Sequence, residues 1–74
     1  MKNITARVYE IIFELLEKNT DGLRWIDLTK MVKSTDPGLH PKTINGLVWK
    51  VVEKYPGRVY RTNDKLFRLV KFRD

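Results

Sequence analysis

An α+β domain of three helices closed by a C-terminal β-hairpin is what this chain predicts, on three observations. Apolar residues recur at helical spacing in three separate windows. Strong turn residues (Asn19-Thr20-Asp21-Gly22, Ser34-Thr35-Asp36-Pro37-Gly38 and Pro56-Gly57) follow those windows. Two short runs rich in β-branched and aromatic residues come last, separated by Asn63-Asp64-Lys65. At 74 residues the chain makes at most one domain, with a modest core. It is read as a single domain over 1–74, standing alone or excised from a longer protein.

The first helix is expected over 3–18. Asn3 suits its N-cap. Ile4, Val8, Ile11, Ile12, Leu15 and Leu16 form its apolar stripe, with Glu10, Glu14 and Glu17 opposite. Leu23-Arg24-Trp25 suits a brief extended segment with Leu23 and Trp25 turned inward. Residues 26–33 predict a short second helix burying Ile26, Leu28, Met31 and Val32, and Leu39 is expected to plug the core after the turn. The third helix starts at Pro41, whose missing N–H is harmless in a first turn. Its stripe is Ile44, Leu47, Val48, Val51, Val52 and Tyr55; its outer face carries Lys42, Asn45, Gly46, Trp49 and Glu53, with Lys50 beside them. Strands are expected over 58–62 and 66–72, with Val59, Phe67 and Leu69 inward.

Two residues keep open alternatives at this point. Trp49 lies off the stripe, so it is either an exposed aromatic that awaits a partner or a ring tucked under the hairpin as core. His40 could cap the third helix, touch a phosphate, or stand exposed.

The charge is unevenly distributed. Residues 1–40 hold six bases and six acids, whereas residues 41–74 hold nine bases against Glu53, Asp64 and Asp74, so the whole excess of +6 falls in the third helix and the hairpin. The cations of this half are expected to share one exposed side, a surface that attracts polyanions. The opening half is expected to act as scaffold.

Several chemistries have no sequence support. There is no cysteine and only one histidine, so no thiolate or multi-histidine metal site is expected. Four scattered glycines form no phosphate loop. The carboxylates form no pair suited to acid–base work. No catalysis, cofactor or small-molecule substrate is expected. No apolar run reaches membrane-span length, and an intracellular setting, cytoplasmic or nucleoid-associated, is expected.

Taken in order, Leu23, Trp25 and Leu28, then Thr43-Ile44, Val48-Trp49, Gly57-Arg58-Val59, and Phe67 with Leu69, resemble the pattern of the HARE-HTH modules, a group within the winged helix-turn-helix class. The likeness spans roughly residues 4–72. Asn63-Asp64-Lys65 departs from it by lacking the glycine common at a wing tip. The resemblance implies three helices, a short strand and a hairpin wing, and an association with transcription regulation or with DNA restriction and modification.

The expected function is therefore non-catalytic binding of double-stranded DNA. Lys42, Thr43, Asn45 and Lys50 of the third helix would enter the major groove. Arg58, Arg61, Lys65 and Arg68 of the wing would hold phosphates. The alternative partner is another protein subunit or a fused domain, anchored by the apolar groups of Trp49, Tyr60 and Phe72. A third is RNA, for which no module signature is present.

Overall fold

The computed structural model describes residues 3–72. Asn3 opens α1 (Ile4–Lys18), its side-chain oxygen accepting from the Ala6 N–H at 2.8 Å, which satisfies one of the donors a helix start leaves unpaired. After a turn at Gly22, β1 (Leu23–Arg24) runs directly into α2 (Trp25–Thr35). α3 (Pro41–Lys54), the strands β2 (Val59–Arg61) and β3 (Leu66–Leu69), and a 3-10 turn (Val70–Phe72) complete the chain. The three strands form one antiparallel sheet in the order β1-β3-β2. The fold is a small α+β domain of three helices and a three-stranded antiparallel sheet.

The core lies where the three helices meet the inner face of the sheet. Val8, Ile11, Ile12 and Leu16 of α1 join Leu28 and Val32 of α2, Ile44, Val48 and Val51 of α3, and Val59, Phe67 and Leu69 of the sheet. Leu39 plugs it from the α2–α3 turn. On the far side Tyr55 meets Tyr9 and Phe13 edge to face, at 5.3 and 5.2 Å. Burial, with Tyr55 beside it, pushes the Tyr9 phenol up from its usual pKa.

Three expectations are corrected. Ile4 is 59% exposed, because it stands in the first turn of α1, beyond the reach of the other elements. Ile26 is 49% exposed. The inward stripe of α2 runs through Trp25, Leu28 and Val32, at spacings of three and four, and Ile26 falls a quarter turn off it. The returning strand stops at Leu69 rather than Phe72. Its partner β2 has no residue before Val59, so the ladder ends with Val70 N–H donating to the Arg58 carbonyl at 2.8 Å.

Two backbone positions set the geometry around the sheet. Gly22 has φ of 98°, and a Cβ there would stand 2.9 Å from the Phe67 carbonyl oxygen. Only glycine lets the α1–β1 turn lie against β3 so closely. At the hairpin tip Lys65 has φ of 64°, the left-handed region, closing a turn in which its N–H donates to the Thr62 carbonyl at 2.9 Å. Lysine thus occupies a conformation for which glycine is the usual residue. The Thr62 hydroxyl oxygen helps fix the turn by accepting from the Leu66 N–H at 3.1 Å.

Candidate nucleic-acid interface

The outer face of α3 carries the residues that its helical pattern assigned there. Lys42, Asn45 and Lys50 are exposed, and Thr43 is half-buried. Among the described residues neither lysine lies within ion-pair distance of a carboxylate. His40 is the cap of this helix, its Nδ1 accepting from the Lys42 N–H at 3.1 Å. Gly46 shares the outer face, and a methyl group there would meet nothing within 4 Å. Gly46→Ala is therefore expected to stabilise the domain by about 1 kcal/mol through helix propensity alone. The thermal midpoint would rise by roughly 4–8 °C; a fall would show that the glycine is needed for the helix itself.

Trp49 combines the two alternatives left open for it. It is 46% exposed. Its ring nevertheless stacks on Trp25 at 5.6 Å and 25°, and meets Phe67 edge-on at 6.0 Å. The Arg61 guanidinium lies over the ring at 5.0 Å, a cation–π contact. Trp49 is thus held at the margin of the core by Trp25 and Phe67, with Arg61 over its ring and nearly half of its surface exposed. The Trp25 indole N–H is buried with no acceptor among the described residues, which costs on the order of 1–3 kcal/mol.

The cations of residues 41–74 do not gather on one side as expected. Lys71 pairs with Glu17 of α1. Arg58 lies over Phe13 at 4.1 Å and Lys54 over Tyr9 at 5.6 Å, both against α1. Arg68 donates from Nε to the Thr20 carbonyl at 2.8 Å and from Nη1 to the Tyr60 hydroxyl at 3.3 Å. Arg73 lies outside the described residues. Strand alternation accounts for much of this. Arg61 pairs across the ladder with Phe67 on the core-facing side, while Tyr60 and Arg68 pair with each other on the opposite side. For the same reason Tyr60 does not stand with Trp49; Phe72, in the 3-10 turn, packs against the core, so the three proposed aromatic anchors are separated.

What the fold does bring together is a smaller set. Arg61, Asp64 and Lys65 of the hairpin, Trp49 of α3, Arg24 of β1, and Trp25 and Ile26 at the start of α2 line one open cavity of about 420 Å³. A second cavity of about 300 Å³ lies between α2 and α3, lined by Thr29, Lys30, Lys33, Pro41, Ile44 and Asn45. Ile26, Lys30 and Lys33 recur along one edge of α2, and Pro41, Asn45 and Trp49 along one edge of α3, at spacings of three or four. Those two edges line the two cavities, the one at the hairpin tip and the one between α2 and α3. Lys33 is committed within the latter, donating to the Pro37 and Leu39 carbonyls at 2.6 Å each. Arg24 and Lys30 are cations of this surface that counting charge by halves of the chain assigned to scaffold. The displacement of Ile26 from the Leu28–Val32 stripe was the sequence signal for this edge.

Compared with protein-family models, curated proteins and solved structures, the chain matches none of them. Among the described residues no helix is long and apolar enough to cross a membrane, and no group of three or more His, Cys, Asp or Glu side chains is placed to hold a metal ion.

Proposed function

We propose that this is a non-catalytic DNA-binding domain of the winged-helix class, similar to the HARE-HTH modules, acting inside the cell in transcription regulation or DNA modification and restriction. One observation carries the reading: the free outer face of α3 and the basic tip of the hairpin stand on the same side, with Trp49, Arg61 and Lys65 around one cavity. α3 enters the major groove, and the hairpin acts as a wing along the neighbouring phosphates. Asn45 offers both an acceptor and donors to an adenine edge, and Lys50 can reach a guanine. Two base-reading groups give modest sequence preference. Lys42, Arg61 and Lys65 hold phosphates, joined by Arg24 and Lys30 from the α2 side. Arg58 and Arg68 are engaged against Phe13 and Thr20, and contribute at most from the flanks.

Lys65 lends this reading a physical argument of its own. A lysine at φ of 64° is strained by about 1 kcal/mol or more. A charged side chain at the wing tip is a reason to retain that strain.

Titration of duplex DNA at several salt concentrations tests the proposal. Each phosphate contact adds about 0.9 to the magnitude of the log–log salt slope, so the five contacts give a slope of roughly −4.5. Millimolar binding that does not respond to salt would overturn it.

A further inference from the structure

Among the described residues three large apolar side chains stand most exposed, and two of them, Ile26 and Trp49, share the cavity at the hairpin tip. Trp25 completes its floor. This apolar surface is fixed in advance by the stacking of Trp25 on Trp49 and the edge contact of Trp49 with the buried Phe67. A surface already ordered loses little conformational entropy on binding. Around the floor stand Arg24, Arg61 and Lys65, opposed by Asp64 alone. The rim is therefore cationic and the floor apolar.

That combination selects among partners. A DNA backbone satisfies the rim and leaves an isoleucine and two indoles facing phosphates. An unstacked nucleobase needs a free aromatic face, whereas the Trp49 ring already carries Trp25 and the Arg61 guanidinium. An acidic peptide with one bulky apolar side chain satisfies both parts. We propose that this cavity docks such a segment of a partner protein. An aliphatic or aromatic anchor lies against Trp25, Ile26 and Trp49, and its flanking carboxylates pair with Arg24, Arg61 and Lys65. The anchor supplies most of the affinity, and the charges supply steering and register. This role goes beyond DNA binding and does not depend on it. Because Arg61 and Lys65 serve both, the peptide and duplex DNA exclude one another.

The test titrates the intact chain with two synthetic peptides of alternating Asp and Glu, one with a central Phe and one with Ala in its place. The Phe peptide is expected to bind about tenfold more tightly, shifting the amide resonances of Trp25, Ile26, Trp49 and Arg61 and displacing duplex DNA. Ile26→Ser, at an exposed position, is expected to weaken the Phe peptide roughly tenfold while duplex affinity stays within about twofold. Equal affinity for the two peptides would reduce the site to charge alone and overturn the proposal. So would resonance shifts at these residues with a single-stranded oligonucleotide and with neither peptide, or self-association of the chain through this face in sedimentation. If duplex DNA fails to bind while the Phe peptide succeeds, the DNA reading falls and the docking site stands; the reverse result removes the docking site alone.

Discussion

Gly22→Ala is expected to destabilise the domain by about 3 kcal/mol. An L side chain at φ of 98° costs on the order of 1–2 kcal/mol in backbone strain. The added methyl would also stand 2.9 Å from the Phe67 carbonyl and 3.2 Å from the Leu66 Cβ. The first of those is backbone in the middle strand of the sheet, so the clash cannot be relieved by rotating a side chain. Either β3 moves outward or the α1–β1 turn opens, and both weaken the pairing of Leu23 with Phe67. A core of this size supplies a net stability of roughly 3–5 kcal/mol, so the variant should retain at most about 2 kcal/mol. Denaturant titration measures the loss. A change under about 0.5 kcal/mol would mean that the turn is free to pull away from β3. Gly46→Ala carries the opposite sign, which separates the two glycines by the space around them rather than by residue type.

Reversing the two cations at the hairpin tip, Arg61→Glu with Lys65→Glu, is expected to weaken duplex DNA binding by roughly thirtyfold or more near 0.15 M salt. That figure follows from losing two phosphate contacts, each worth a factor of about five in counterion release at that concentration; repulsion by the new carboxylates adds to it. The magnitude of the salt slope should fall by about 1.8. Arg61 also lies over Trp49 and, at 5.8 Å, over Phe67, so the reversal costs some stability, and melting should be followed alongside binding. Lys65→Gly separates the two effects. It relieves the left-handed strain and should raise stability by about 1 kcal/mol, while removing one contact and about fivefold in affinity. Unchanged affinity in both variants would remove the hairpin from the DNA interface.

Helical periodicity and turn chemistry were enough to anticipate the order of the elements, the positions of all three helices, and the inward set Val59, Phe67 and Leu69. They carried less information where an element ends or where two elements share an edge. Ile26 is apolar and helical, and only the exact phase of the Trp25–Leu28–Val32 stripe distinguishes it from a core residue. Tyr9 was absent from the expected stripe of α1, yet it is buried because Tyr55, 46 positions further along the chain, packs across it. The candidate interface was legible in part. The exposure of Lys42, Asn45 and Lys50 followed from the helix pattern. The dispersal of the hairpin cations did not, because summed charge ignores strand alternation and ignores tertiary partners such as Glu17 and Thr20. Strand alternation along 58–62 and 66–69 is what separates Arg61 from Arg68 in the sequence itself.

Both tryptophans of the chain, Trp25 and Trp49, stand in the same corner, one ring upon the other. Intrinsic indole emission therefore reports on that corner alone, with no background from elsewhere in the molecule. Tyr9 and Tyr55 sit together on the α1 side and, with Tyr60 of β2, give a second optical signal. A denaturation curve recorded at the two wavelengths compares the tryptophan corner with the tyrosines within a single unlabelled sample. Coincident curves would show that the two regions melt as one cooperative unit.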